Sequence, residues 1–292
     1  MQKVNELLPP PGEVQKVVFP AISGLPFWLY QPRKIRNMQR ILVVVHGISR
    51  DAEEQLDCYR TMADELGCWL VAPQFKSKAF PRYQQLCAGS GQPRADIALN
   101  SFLALWRGMH GQPYLKIWLA GYSGGAQFAH RYALHHPQQV AAMILGSAGW
   151  YSFPDQQVKY PRGISRSVAL NSVRLEEMLN IPMLVTVGDE DNLRDNSLKT
   201  SESLDQQQGD NRLQRALNWC ESIRQLQQAK TYKPVQFKLL IGQGHNFYKN
   251  MQQGGMASLV LQFLLQSEGN NNEQNTNPVD QYSDNSYLRV SN

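Results

Sequence analysis

Gly121-Tyr122-Ser123-Gly124-Gly125 lies between an apolar run, Lys116-Ile117-Trp118-Leu119-Ala120, and a segment of helical spacing, Ala126 to Leu134. A G-x-S-x-G pentapeptide joining a strand to a helix describes a turn too tight for bulky neighbours. Glycines therefore flank the serine, and the strain holds its hydroxyl out at the end of the sheet. The pentapeptide alone is weak evidence. The strand before it and the helix after it make it specific and make Ser123 the candidate nucleophile.

Outward from this turn, solid apolar runs alternate with helical segments. Ile41 to Val45 and Trp69 to Ala72 read as strands buried on both faces, and Val140 to Leu145, Pro182 to Val187 and Val235 to Ile241 read as further strands. Residues 17–30 read as an edge hairpin punctuated by Pro20, Gly24 and Pro26. Helices are expected over 52–66, 95–109, 211–228 and 256–265, with a short one near Leu175 inside an irregular insert, 152–180. The pattern predicts an α/β domain, a mostly parallel central sheet flanked by helices, over residues 1–266. From 267 to 292 the chain is rich in Asn, Gln and Ser, and is expected to form a disordered tail.

A serine hydroxyl needs a base to take its proton. Of six histidines, only His245 follows the last strand in a loop, Gly242-Gln243-Gly244-His245-Asn246. The base in turn needs a carboxylate to orient it. Gly188-Asp189-Glu190-Asp191-Asn192 ends the strand before it, and Asp191 is the choice there, with Asp189 the runner-up and Asp195 behind. Acyl transfer also needs donors for the developing oxyanion. The Gly124 N–H is one. The second comes from the turn His46-Gly47-Ile48-Ser49, with Ile48 chosen and Gly47 as fallback.

With these four segments in place, the chain resembles the α/β-hydrolase superfamily of serine esterases and lipases over about residues 15–266. The likeness rests on HGIS at 46–49, GYSGG at 121–125, GDED at 188–191 and GQGHN at 242–246. The order Ser123, Asp191, His245 is that of this fold. Within the superfamily the chain is most similar to the polyhydroxybutyrate-depolymerase and feruloyl-esterase-like group. The resemblance implies a hydrolase of carboxylic esters working through an acyl-enzyme, with no cofactor and with the insert as a small cap. An amidase or peptidase on the same triad, or a binding protein that has lost turnover, are the alternatives. The dienelactone-hydrolase branch carries cysteine where this chain has Ser123.

Trp150 and Tyr151, with Phe153, leave the strand after the turn, either to line a substrate pocket or to pack the insert onto the sheet. Arg82 and Arg94 read as surface charges or as partners for a substrate carboxylate. The four cysteines, Cys58, Cys68, Cys87 and Cys220, have no C-x-x-C pairing and read as free thiols; no metal-ligand spacing appears. The net charge is +5, and the tail is acidic, so the body is more basic still. There is no basic stripe interleaved with aromatics, which argues against nucleic-acid binding. No run approaches membrane-spanning length and the N-terminus has no signal core, so a cytoplasmic protein with a small-molecule ester substrate is expected.

Overall fold

Alternation along the central strands sorts the core into two layers. Ile41, Val43 and Val45 point to one face of the sheet, and Leu42 and Val44 to the other; all five are fully buried. A strand buried on both faces must be covered by helices on both. The computed structural model describes residues 7–274 apart from 20, 21, 23, 88, 90, 92, 166–172 and 231, and beyond residue 268 the backbone only.

Eight strands form one sheet: β1 (Val14–Val18), β2 (Pro26–Tyr30), β3 (Arg40–Val45), β4 (Trp69–Pro73), β5 (Lys116–Tyr122), β6 (Val140–Gly146), β7 (Met183–Gly188) and β8 (Gln236–Leu240). Their order is β1-β2-β4-β3-β5-β6-β7-β8. β1 and β2 are the antiparallel edge hairpin, β2 joins β4 antiparallel, and every other pairing is parallel.

On one face pack α3 (Ala95–His110), α4 (Gly124–His135), α5 (Leu175–Leu179) and α7 (Arg212–Gln228), through residues such as Phe102, Trp106, Phe128 and Trp219. On the other pack α1 (Ala52–Asp57), α2 (Arg60–Leu66) and α9 (Met256–Gln274), through Leu56, Met62, Val260 and Phe263. Two further helices, α6 (Glu202–Gln208) and α8 (Phe247–Gln252), sit in the connections around β8.

Three expectations change. The single helix over 52–66 is two, broken at Cys58 and Tyr59, with Tyr59 turned inward and fully buried. The last helix does not stop at Leu265 but continues to Gln274. Glu268 ties it back, accepting a hydrogen bond from Asn37 Nδ2 at 2.9 Å and pairing with Arg40 at 3.1 Å. Residues 275–292 of the expected tail lie outside the described residues. The insert, finally, folds against the C-terminal half of α4: Arg174 N donates to Leu134 O at 2.9 Å, and the Tyr160 ring meets His135. No helix among the described residues is long and apolar enough to cross a membrane.

Candidate active site

The turn between β5 and α4 can form only with glycine on both sides. A Cβ on Gly121 would lie 2.2 Å from the Gly125 carbonyl, and one on Gly125 would lie 1.9 Å from Val45 O. Between them Ser123 adopts φ 53° and ψ −112°, left-handed backbone that a side-chain-bearing residue rarely takes. Its N–H is anchored to Gly146 O at 2.8 Å, so the strained residue is held by β6 as well as by its own turn.

Three side chains meet at the C-terminal ends of β5, β7 and β8. Ser123 Oγ lies 3.1 Å from His245 Nε2, and His245 Nδ1 donates to Asp191 Oδ2 at 2.8 Å. Asp191 is 3 % exposed. A buried carboxylate needs compensation, and its second oxygen receives Arg212 Nη1 at 3.1 Å. Arg212, itself buried, also donates to both oxygens of Asp195 and to Ser197 Oγ. The hydrogen bonds from this guanidinium, with those from Ser197, hold the Asp195 carboxyl well below the usual carboxylate range.

Asp189 does a different job. Its Oδ1 accepts from Gly242 N at 2.7 Å and Gln243 N at 3.3 Å, pinning the loop that carries His245. Gly188 permits that approach, since a Cβ there would lie 1.8 Å from Gln243 O.

On the opposite side of Ser123, the turn after β3 brings Ile48 beside Gly124. A Cβ on Gly124 would stand 3.3 Å from Ile48 N and 2.7 Å from Tyr83 Oη. Gly124 is the first residue of α4, so its N–H has no acceptor within the helix. The Ile48 N–H enters no backbone hydrogen bond among the described residues. His46 fixes this turn from below. Its Nε2 accepts from Phe75 N at 3.0 Å and its Nδ1 donates to Gly47 O at 2.8 Å. Burial pushes its pKa down to about 4, so the ring is neutral at pH 7. Tyr83 Oη closes the arrangement by donating to His46 O at 2.7 Å.

Ser123 opens into a cavity of about 320 Å³ whose walls include Ile48, Glu54, Gln55, Tyr122, His245 and Tyr248. Trp150 and Tyr151 are not among its walls. Trp150 is buried under the Arg131 guanidinium, 4.1 Å from its ring centre, and Tyr151 stacks on Trp219 at 4.8 Å. Gln208 clamps the backbone of Tyr151 from both sides, at 2.9 and 2.8 Å. Of the two readings of these aromatics, the structure gives packing, and none of the described residues of the insert that follows them lines the cavity at Ser123. Arg94 pairs with the buried Asp96 at 2.6 Å, Arg82 is exposed, and neither lines the cavity. No group of three His, Cys, Asp or Glu side chains among the described residues is placed to hold a metal.

Arg212, Ser197 and the His46–Tyr83 pair were not singled out from the sequence. Arg212 had one legible sign. It follows the N-cap Asn211 and opens a helix, where the positive end of the macrodipole disfavours a cation, so something else must hold it.

Neither a protein-family model nor a curated protein matches this chain. Solved structures do. The chain is similar to poly(aspartic acid) hydrolase-1 from Sphingomonas sp. KT-1, with 24% identity over 87% of this chain and 98% of that one, at a TM-score of 0.70. It is similar to a poly(3-hydroxybutyrate) depolymerase from Bordetella parapertussis, with 21% identity over 84% and 88% of the two chains and a TM-score of 0.68. A ferulic acid esterase aligns at 15% identity over 87% and 97%, with a TM-score of 0.56. The fold is that of the α/β hydrolases.

Proposed function

We propose that the chain is a serine hydrolase that cleaves carboxylic esters through an acyl-enzyme. One observation carries the reading: a serine on strained backbone, hydrogen-bonded at 3.1 Å to a histidine that is itself bonded at 2.8 Å to a buried carboxylate. Ser123 Oγ attacks the ester carbonyl while His245 Nε2 takes the hydroxyl proton. The carbonyl oxygen becomes an oxyanion facing the Ile48 and Gly124 N–H groups, and each such donor lowers the barrier by about 3 kcal/mol. Asp191 stabilises the imidazolium and keeps the ring turned toward Ser123. Collapse breaks the bond to the alcohol, which leaves with the proton from His245. Water then attacks the acyl-enzyme with His245 again as base, releasing the acid and restoring Ser123.

The test is hydrolysis of p-nitrophenyl esters from acetate to decanoate by wild type and Ser123→Ala, with mass spectrometry of Ser123 after a phosphonate probe. Turnover that disappears in the variant, with labelling at Ser123, is the expected result. A matched p-nitroanilide series reads amide against ester cleavage. Absence of both turnover and labelling would return the chain to the binding-protein reading.

A further inference from the structure

The chain as a whole is basic, with net charge +5, yet the walls of its cleft have the opposite sign. Asp51 and Glu54 line the cavity at Ser123. A second cavity of about 380 Å³ shares Asp51, Glu54 and Tyr248 with the first and adds Glu53 and Asp57. Among the described residues no lysine or arginine lines either one. Glu53 and Glu54 form no ion pair among the described residues, and Asp57 has only an exposed contact with Arg60 at 3.5 Å.

Helix chemistry accounts for part of this. Asp51 caps α1 by accepting from Glu54 N, and acids in the first turn suit the dipole. It does not account for Asp57, in the last turn, where the dipole opposes an acid. Burial, and then the neighbouring Asp51, push the Glu54 carboxyl above its ordinary range, as expected of negative charge without a counterpart. A second observation is independent of charge. Gln55 lines the Ser123 cavity, is 3 % exposed, and its Nε2 has no hydrogen-bond partner among the described residues. A buried amide donor left unmatched is costly unless a ligand supplies the acceptor. Tyr248, 53 % exposed, stands where the two cavities join and offers an aromatic face.

Resting on the serine-esterase reading above, we infer that the substrate is a cationic ester. Its carbonyl lies at Ser123, a polar acceptor meets Gln55, and an ammonium group extends along α1 toward Glu54 and Asp57. Carboxylates beside an aromatic ring are the complement of an alkylammonium. An anionic chain is repelled by the same wall.

Two phosphonothiolates that differ only in the leaving thiol test this without requiring turnover. One thiol is 2-(trimethylammonio)ethanethiol, and the other is its neutral isostere, 3,3-dimethylbutanethiol. The rate of Ser123 labelling is read by intact-protein mass spectrometry and divided by the same probe's rate of hydrolysis by hydroxide in free solution, because the ammonium also makes its thiol the better leaving group; all rates below are on that normalised scale. The cationic probe is expected to react about tenfold faster at about 20 mM salt, the effect of two screened carboxylates. The ratio should shrink toward unity at about 0.5 M salt, and should fall at least threefold in the double variant Glu54→Gln/Asp57→Asn. Equal rates, or a faster neutral probe, would overturn the charge inference and leave the nucleophile standing. Failure of both probes to label Ser123 would overturn the serine-hydrolase reading and this inference with it.

Discussion

Asp191 and Asp189 lie two residues apart, yet their replacement by asparagine should have very different consequences. In Asp191→Asn the imidazolium that forms during attack faces a neutral amide in place of a carboxylate 2.8 Å from His245 Nδ1. Charge centres about 4 Å apart at an effective dielectric constant near 20 interact by about 4 kcal/mol, which is about a 10³-fold loss of rate. The amide also permits the wrong ring tautomer, bringing the expected loss to about 10⁴. Arg212 keeps Asp195 and Ser197 as partners, so the protein should remain folded. In Asp189→Asn the oxygen that accepts from Gly242 and Gln243 is retained. Only the charge assistance of partly exposed hydrogen bonds is lost, about 1 kcal/mol, or less than tenfold in rate. The assay is kcat/KM on p-nitrophenyl acetate for both variants, with melting temperature as the control for folding. If Asp189→Asn lost 10³ and Asp191→Asn stayed within tenfold, the assignment of the acid and the electrostatic reasoning would both fail.

Asp195→Asn probes the support behind that acid. The native Asp195 carboxyl is held low by Arg212 and Ser197, so its stabilising contribution is complete above the unfolded value of about 3.9 and is lost as pH falls toward the folded one. Its side chain is 44% exposed, which limits the effect to about 1 kcal/mol; in urea unfolding the variant should trail wild type at pH 7, and the gap should narrow by pH 3. A gap of constant size would mean that the pair carries no linkage. Gly124→Ala would put a methyl 2.7 Å from Tyr83 Oη and 3.0 Å from Ile48 Cγ2; kcat should fall about 10²-fold through a displaced oxyanion donor, and a change under threefold would place the oxyanion elsewhere. Trp150→Leu should destabilise by about 2–4 kcal/mol, from lost packing and the lost Arg131 contact, while leaving the acyl-chain profile unaltered. A shifted profile would bring Trp150 back into the substrate pocket.

The central strands were legible because burial on both faces leaves apolar runs such as Ile41 to Val45 that local chemistry alone delimits. The elbow was legible because its constraint is local too, a matter of where a Cβ fits. The helix Glu202–Gln208 was not, since ESLDQQQ has no apolar stripe and its anchor, Gln208 clamped on Tyr151, reaches across 57 residues. The same limit hid Arg212, whose partners stand 21, 17 and 15 residues away. Trp150 and Tyr151 were legible as large aromatics but not as to which side they take. That depends on Arg131 and Trp219, which only the assembled fold places against them.

The helix carrying the nucleophile has no exposed residue: all twelve positions of Gly124–His135 are buried. The base hangs from β8, a strand at the sheet edge where three of five residues are exposed, followed by Ile241 at 72 %. The two halves of the site therefore belong to different tiers of the molecule's local stability. On warming, His245 should swing free while Ser123 still sits on an intact frame, so activity fades before the tertiary structure does. Amide exchange would record the same order, with 236–246 opening locally and 124–135 released only by global unfolding.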